Sequence, residues 1–362
     1  MPERSSVPPA LPATTTVDWL LRHAAAAATP GALLGELCSG LVAEGLPLAS
    51  AVLAIASLDP LVARTRIRWR RGDTRVVEEV QLHGMGLAEA PSVDGASLRL
   101  VLPGTRHEVE WSAERPAGFD SEERVYLEAI CLASAAPLQV VVERGVTLGL
   151  LQAYLGRRSA GRVLSGAVHR GTGEVIEAVV WISDLRDFTH LSETLPPDQV
   201  IAALNDCCAR LVGAIHPFGG EVLKFIGDGL LAIFPLEPRG ATAACDAALA
   251  AVRAARNGMA RLDQERTRAG LPPLPFGIGL HLGAVMYGNI GAPDRLDFTA
   301  IGPAVNVASR IEGLCRLLAC PVLISEAVAP RCTQPLAPLG QHRLRGAARP
   351  VALFTLPELA PH

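Results

Sequence analysis

Two aspartates stand where apolar, strand-like runs of the sequence end. Asp184 follows the run "AVVWIS", and Asp228 lies between two glycines in "KFIGDGLLAIF". A carboxylate at the end of a buried strand points out of the core towards a cleft. Two such carboxylates that converge beside a backbone carbonyl form a site of hard oxygen ligands, which suits Mg²⁺ or Mn²⁺ shared with substrate phosphates. Asp228 alone has a simpler interpretation, because Asp-Gly is a common hairpin turn.

Two further segments carry polar groups suited to phosphate. In "SDLRDFTHLSE" the chain turns from the strand into a short helix near Thr189, whose free N–H groups could bind phosphate oxygens. In "AVNVASRIE", Asn306 and Arg310 lie four residues apart on one predicted helix and so share a face. An amide beside a guanidinium suits an oxyanion or a pentavalent phosphorus. Taken alone, this spacing more often marks a solvated helix face.

The three segments together resemble the catalytic domain of class III nucleotidyl cyclases. The matching stretches are "WISDLRDFTHLSE", "HPFGGEVLKFIGDGLLAIF" and "LDFTAIGPAVNVASRIE", in the order of the family and with compatible spacing. The resemblance covers residues 175–356, and "LQAYLGRRSAGRVLSG" is similar to the segment that precedes many bacterial cyclase domains. The combination is far more specific than any one of its motifs.

The resemblance implies a two-metal site and a turn that binds phosphate. Asp184 and Asp228 match the metal-binding aspartates of the family, and the backbone carbonyl of Leu185 matches a further metal ligand. Phe188 and Thr189 match positions in the turn that faces the phosphates. Two Mg²⁺ or Mn²⁺ ions per active site are therefore expected, as in other two-metal sites for phosphoryl chemistry.

The resemblance also assigns residues to the base, the ribose and the transition state. Lys224 matches the lysine that contacts adenine N1, and Thr299 matches the second purine-selecting position. Guanylate cyclases typically carry Glu at the lysine position, so this pair predicts ATP as the substrate. Asn306 and Arg310 match the residues that orient the ribose and stabilise the transition state. Arg345 lies near a family lysine that contacts the terminal phosphates.

The implied function is that of an adenylate cyclase. The ribose 3′-oxygen of ATP attacks the α-phosphorus and pyrophosphate leaves, which gives 3′,5′-cyclic AMP. In the family the active site forms at a head-to-tail homodimer interface, with the metal aspartates from one chain and the remaining residues from the other. This chain carries both sets, so a homodimer with two equivalent sites is predicted. The alternatives are a guanylate cyclase and a catalytically silent nucleotide-sensing module, although no matched catalytic residue is missing.

Some positions depart from the common pattern of the family. Asp187 stands where many relatives have Gly, and Pro303 where many have Asp or Asn. Neither change removes a residue matched to catalysis.

A diguanylate cyclase is disfavoured, because Val222 follows the "GGE" turn where that class has a second acid. Cyclases with Thr at the position of Thr299 include ones that respond to bicarbonate, so stimulation by bicarbonate is predicted.

The elements that position these residues alternate in the order βαββαβ from residue 175 onward, with additions at the end. This order predicts an α+β, ferredoxin-like core of helices packed on an antiparallel sheet. The stretch "PFGIGLHLGAVMYGNIG" is predicted as a strand that breaks at its glycines, and "HRLRGAARPVALFTL" as two strands around a turn. The preceding chain is predicted to form a second α+β unit that loosely resembles a GAF-type sensor. The predicted divisions are a disordered lead at 1–16, a regulatory domain at 17–145, a connecting helix and loop at 146–174, and the cyclase domain at 175–358.

The composition restricts the partners and the cellular location that we expect for the protein. The 362 residues are 49% hydrophobic and carry a net charge of -3, so packed cores are expected and nucleic-acid or anionic-membrane partners are not. The eight cysteines form no CxxC pair and the N-terminus has no signal-like apolar region, which favours the cytoplasm. The most apolar segment, 129–142, is too short for a membrane span. His23, His83 and His107 show no ligand spacing, and a small-molecule regulator of the N-terminal domain is a further expectation.

Overall fold

The computed structural model divides into two compact units, Met1–Leu151 and Gln152–His362. The described residues are 15–56, 62–73, 75–82, 96–166, 169, 171, 173–346 and 349–360. His83 and most of the predicted disordered lead lie outside these residues. Helix α1 begins at Thr15, inside the range predicted as lead.

The first unit packs helices against an antiparallel sheet. Its helices are α1 (Thr15–Arg22), α2 (Pro30–Ala43) and α3 (Ser121–Leu155, whose last four residues belong to the second unit). Its described strands are β1 (Leu48–Ala56), β2 (Val62–Arg70), β3 (Val77–Leu82), β4 (Ser97–Val101) and β5 (Glu108–Ala113). They lie in the order β3-β2-β1-β5-β4, and each described pair is antiparallel. Helices beside an antiparallel sheet agree with the prediction for this part of the chain, and the GAF-like relationship stays a prediction.

Among the described residues, α3 is the one helix long and apolar enough, by length and composition, to cross a membrane. It extends well beyond the predicted apolar segment, because the helix continues through Pro137. In its most apolar window of 18 residues, 56% is buried inside the structure. Leu127 and Ile130 of this helix belong to the same buried cluster as Trp111 of β5. The core helix of a soluble protein passes the same test, so this finding is weak evidence for a membrane span. The expectation that the chain has no membrane span stays a prediction.

The second unit is built on one mixed sheet with helices packed against it. Its helices are α4 (Arg157–Leu164), α5 (Phe188–Thr194), α6 (Pro197–Ile215), α7 (Ala241–Arg268) and α8 (Pro303–Leu317). Its described strands are β6 (Gly173–Leu185), β7 (Glu221–Ile226), β8 (Gly229–Pro235), β9 (Phe276–Ala292), β10 (Arg295–Ile301), β11 (Val322–Ser325), β12 (Ala337–His342) and β13 (Val351–Thr355). Among these residues the order is β12-β13-β11-β9-β6-β8-β7, with β10 paired to β9.

The predicted βαββαβ core consists of β6, α6, β7, β8, α7 and β9. Its four strands are antiparallel neighbours in the order β9-β6-β8-β7, and β11 is added parallel to β9. Strand β6 is buried on both faces, which explains its continuous apolar run. Val179 and Trp181 face the cluster that holds α6 and α7, whereas Ala178 and Val180 share a cluster with Ala304 of α8.

Two strand predictions are wrong in detail. Strand β9 runs unbroken over its glycines, because these glycines make room for a helix and do not end the strand. A Cβ at Gly279 would lie 2.6 Å from the carbonyl oxygen of Ala308 on α8. The strand that precedes β13 is β12, which ends at His342, and not the predicted segment around Arg345. The position of β12 is determined by its pairing with β13, for example of Gly340 with Leu353. Pairing between separate segments leaves little pattern in the local sequence, so the sequence does not show where this strand lies.

Candidate active site

The carboxyl groups of Asp184 and Asp228 meet at one end of the core sheet. Asp184 is the penultimate residue of β6, and Asp228 lies in the two-residue turn between β7 and β8. Gly227, the other turn residue, has a φ of +62°, which glycine adopts without steric cost. The turn is therefore Gly-Asp, one residue earlier than the Asp-Gly turn considered from sequence. Asp228 is close enough to Asp184 for its charge to act on that carboxyl group.

This proximity disfavours ionisation of the Asp184 carboxyl group. Burial first, and then the charge of Asp228, raise the pKa of Asp184 to about 6, while the Arg186 guanidinium opposes the rise. A cation bound beside the pair would compensate for the repulsion between the two carboxylates. The electrostatics of the pair therefore favour a bound divalent cation.

Gly229 keeps the space beside these carboxylates open. A Cβ at Gly229 would lie 2.6 Å from the carbonyl oxygen of Ser183 and 2.7 Å from Asp184 Oδ1. The described residues contain no group of three or more His, Cys, Asp or Glu side chains that could hold a metal ion. Two carboxylates fit Mg²⁺ or Mn²⁺, since these ions take further ligands from backbone carbonyls, water and phosphates. The predicted donors, Asp184, Asp228 and the carbonyl of Leu185, fit such an ion.

The turn after β6 accounts for the unusual Asp187. This residue has φ 54° and ψ 28°, in the left-handed region where Gly is the usual residue and Asp is among the few others tolerated. Its Oδ1 atom lies 3.3 Å from Nη2 of Arg316 on α8, so the extra carboxylate has a cationic partner. Phe188 packs half-buried against the core, and Thr189 is exposed at the start of α5.

Lys224 and Thr299 lie on strands that approach each other outside the sheet ladder. Lys224 on β7 forms an ion pair with Asp297 on β10. Asp297 and Thr299 are two residues apart on one strand and so share its face. Thr299 is buried, and its Oγ1 has no hydrogen-bond partner among the residues that the structure describes. A buried hydroxyl is normally paired, so this one keeps unused hydrogen-bonding capacity.

Asn306 and Arg310 are exposed on α8, as the predicted helix requires. Pro303 occupies the first turn of this helix, where proline is tolerated, after Gly302 at φ +140°. A Cβ at Gly346 would lie 3.5 Å from Arg310 Nη2. The turn that carries the exposed Arg345 is therefore beside the Arg310 guanidinium.

Sequence reasoning missed the partners of these residues. Asp297 was not singled out, and neither were Arg186 and Glu312, whose side chains form a mostly buried ion pair at 2.7 Å. Burial raises the pKa of Glu312, the Arg186 charge opposes the rise, and the charge of Asp184 adds to it. In the sequence these residues are visible only as charged residues inside an apolar helix or next to a matched residue. That pattern does not indicate which residue each of them pairs with.

Within one chain the predicted residues form separate groups. Asp184 and Asp228 meet at the end of β6 and at the β7–β8 turn. Lys224 lies on β7, two residues before the strand ends at Ile226. At 3.3 Å per residue, this places Lys224 about 7 Å from the end of the strand that adjoins the turn. Its partner is the β10 strand that carries Thr299. The exposed face of α8 and the turn at 345–346 form a third group.

Comparison with known proteins gives consistent matches to nucleotide cyclases. Residues 173–342 match the family described as the adenylate and guanylate cyclase catalytic domain. An adenylate cyclase of Anabaena cylindrica is 38% identical over 162 residues, which are 44% of this chain and 31% of that protein. Adenylate cyclase 1 of Rhizobium meliloti is 31% identical over 183 residues, which are 49% of this chain and 27% of that protein. The chain thus spans less than a third of the length of these two relatives.

A solved structure is similar over a larger share of the chain. The structure of a bacterial light-regulated adenylyl cyclase is 26% identical in sequence with a TM-score of 0.52. The similarity covers 72% of this chain and 78% of that one.

Proposed function

We propose that the protein, whose residues 173–342 match the adenylate and guanylate cyclase catalytic domain family, is an adenylate cyclase that acts as a homodimer. It would convert ATP to 3′,5′-cyclic AMP and pyrophosphate. The observation that carries the choice of adenine is the buried, unpartnered hydroxyl of Thr299 on the strand face whose Asp297 binds Lys224. The adenylate cyclases among the relatives support the same choice.

The base would be selected by two groups of opposite hydrogen-bonding character. The Lys224 ammonium can only donate, which suits the acceptor at adenine N1, whereas guanine carries a proton at N1. The Thr299 hydroxyl can accept from the exocyclic amino group of adenine, and this bond would satisfy a buried polar atom. Asp297 would orient Lys224 towards the base.

The triphosphate end would be held by the aspartates, the turn after β6 and the arginines. Asp184, Asp228 and the carbonyl of Leu185 would hold two Mg²⁺ or Mn²⁺ ions, which neutralise phosphate charge when bound. Phe188 and Thr189 would line the phosphate side, and Arg345 would contact the terminal phosphates.

The chemistry is an intramolecular displacement. Asn306 would orient the ribose so that its 3′-oxygen, on losing its proton, bonds to the α-phosphorus while the bond to pyrophosphate breaks. Arg310 would donate to the oxygens of the α-phosphate, where negative charge accumulates in the transition state. Exposure of both side chains on α8 leaves them free to contact a substrate held by a second chain.

An exposed apolar surface supports the homodimer. Val175, Met286 and Ile301 are cross-strand neighbours on β6, β9 and β10, and they are 66%, 43% and 48% exposed. Phe225 and Ile226 next to the β7–β8 turn are also more than half exposed. Apolar residues grouped in this way mark interfaces. A second copy would cover them and bring its own Lys224 group to the aspartates.

The assay that tests the proposal uses the purified chain with Mn²⁺ and either ATP or GTP. Formation of cyclic AMP faster than cyclic GMP is the expected result. Faster turnover of GTP would support the guanylate cyclase alternative, and no turnover of either nucleotide would support the silent module. Asp228→Ala should abolish the activity.

We also propose that the first unit is a GAF-like regulatory domain that binds a small molecule. A cleft of about 810 Å³ in this unit is lined by Trp19 and Trp69 together with polar residues such as Glu36. Clefts of this size and lining bind small organic ligands. A panel of soluble metabolites should contain one that raises the unfolding temperature of the full chain. The shift should be lost in Trp69→Ala, and a panel without any such shift would count against the proposal.

A further inference from the structure

Two ion pairs of opposite sense join the turn after β6 to helix α8. In one, Arg186 Nη2 lies 2.7 Å from Glu312 Oε1 and also donates to the Glu312 carbonyl oxygen at 3.3 Å. In the other, Asp187 Oδ1 lies 3.3 Å from Arg316 Nη2. The turn contributes a cation and an anion, and so does the helix. Because the two helix residues are four positions apart, the contacts are spaced by one helical turn.

The Arg186–Glu312 pair is built into the sheet. Its side chains are only 19% and 8% exposed, whereas the other pair is exposed on both sides. Strand β9 makes room for it, because a Cβ at Gly277 would overlap the Arg186 guanidinium and lie 2.6 Å from Glu312 Oε1. Gly277 is the register partner of Asp184 on β6. The guanidinium therefore lies over the strand position next to the proposed metal ligand.

We propose that Arg186 and Glu312 are positioning residues that couple the two active sites of the dimer. Arg186 is two residues from Asp184, and Glu312 is two residues from Arg310. Under the proposed function, on which this inference rests, Asp184 serves one site and Arg310 serves the other. A shift of α8 at one site is then transmitted to the metal-binding turn of the other site. Displacement of a reacting group by a fraction of an ångström is enough to lower a rate.

Mixed dimers separate this coupling from a local effect. An Asp228→Ala chain and an Arg310→Ala chain, carrying different tags and purified as a mixed dimer, share one intact site. Its aspartates come from the Arg310→Ala chain and its arginine from the Asp228→Ala chain. Arg186→Ala is then added to one chain or to the other. In the Asp228→Ala chain, Arg186 lies beside a metal site that is already inactive, so it reaches the intact site only through α8.

In the Asp228→Ala chain, Arg186→Ala should lower kcat of the intact site about tenfold with little change in KM for ATP. This split is expected because Arg310 acts on the transition state more than on bound ATP. In the Arg310→Ala chain, the same change should also raise the Mn²⁺ concentration that gives half-maximal rate. The matched control is Arg210→Ala, which removes an exposed ion pair with Glu265 at 2.9 Å and should leave both quantities unchanged.

A kcat equal to that of the Arg210→Ala control in the first arrangement would overturn the coupling, since Arg186 would then act only on its own turn. A parent mixed dimer without activity would instead overturn the shared site itself, and the coupling with it. Thermal unfolding checks that each mixed dimer is folded. If Arg186→Ala is not, Arg186→Ala combined with Glu312→Ala replaces it, because removing both partners leaves no unpaired buried carboxylate. The same comparison of the two arrangements then decides.

Discussion

Lys224 on β7 and Asp297 on β10 form an ion pair across 73 residues of sequence. The side chains are 32% and 53% exposed, and ion pairs at this exposure contribute little to stability. The consequence of the pair is therefore the orientation of the ammonium group. Because Asp297 shares a strand face with Thr299, the pair directs Lys224 towards the proposed adenine site.

Replacing this lysine should change the choice of purine. Lys224→Glu should lower kcat/KM for ATP by about 10–100-fold, since a hydrogen bond to a charged group contributes roughly 1.5–3 kcal/mol. The ratio of GTP to ATP turnover should rise, because a carboxylate can accept the guanine N1 proton. Cyclic AMP and cyclic GMP formed with Mn²⁺ are measured at several concentrations of each nucleotide.

The matched control for this change is Asp297→Asn, which keeps the lysine and removes its partner. Its preference for ATP should persist, with kcat/KM within about fivefold of wild type, the range set by an exposed ion pair. An unchanged purine preference in Lys224→Glu would contradict the assignment of Lys224 to the base.

The Asp184–Asp228 pair predicts a pH dependence of stability in the metal-free protein. The folded-state pKa of Asp184 is raised from 3.8 to about 6, so between these values the folded state binds more protons than the unfolded state. The contribution of Asp184 to the free energy of unfolding therefore falls as pH rises from about 4 to 6 and is constant above that window. Asp228→Asn removes a like charge, so its stability should fall less.

Thermal unfolding in EDTA between pH 4 and pH 7 measures this difference. Asp228→Asn should unfold about 2–4 °C above wild type at pH 7, the shift that about 1 kcal/mol produces in a domain of this size. Addition of Mn²⁺ should stabilise wild type more than the variant, because the variant has lost a ligand. Parallel pH curves for the two proteins would contradict the pairing of these carboxyl groups.

The sequence predicted the elements that carry the site because their signals are local. Asp184 and Asp228 follow apolar runs that end abruptly, and the helix with Asn306 and Arg310 has a clear apolar period. Alternation of such runs also predicted the βαββαβ order of the second unit. Each of these inferences needs only a short window of sequence.

Contacts between distant segments left no such signal. The glycines of β9 looked like strand breaks, but Gly277 and Gly279 accommodate a side-chain pair and a helix that pack from elsewhere in the chain. The Arg186–Glu312 pair joins residues 126 positions apart. A charged residue in an apolar context is visible in the sequence, and only the fold supplies its partner.

Gly229→Ala should impair both catalysis and folding. Its Cβ would lie 2.6 Å from the Ser183 carbonyl oxygen and 2.7 Å from Asp184 Oδ1, so the carboxylate or the strand must move. We expect cyclase activity to fall by about 10²-fold and the free energy of unfolding to fall by about 1–3 kcal/mol. Urea unfolding and the cyclase assay measure the two effects.

The same substitution at an open helical site provides the comparison. A Cβ at Gly313 on α8 would meet no atom within 4 Å, so Gly313→Ala should raise the free energy of unfolding by about 0.5–1 kcal/mol through helix propensity. Equal effects of the two changes would show that the space beside Asp184 is not restricted.

Thr299→Val should separate function from stability. The Thr299 hydroxyl is buried and has no partner among the described residues, so replacing it by a methyl group removes an unsatisfied polar atom. The free energy of unfolding should stay constant or rise by about 1 kcal/mol, while kcat/KM for ATP falls about tenfold, as expected for one lost hydrogen bond to the base.

Thr355→Val is the control: Thr355 is also buried, but its Oγ1 donates to the Val322 carbonyl oxygen at 2.8 Å. That change should destabilise the fold by about 0.5–1.5 kcal/mol, since it removes a buried hydrogen bond. A Thr299→Val variant that is as destabilised as Thr355→Val, with unchanged turnover of ATP, would mean that Thr299 serves the fold and not the substrate.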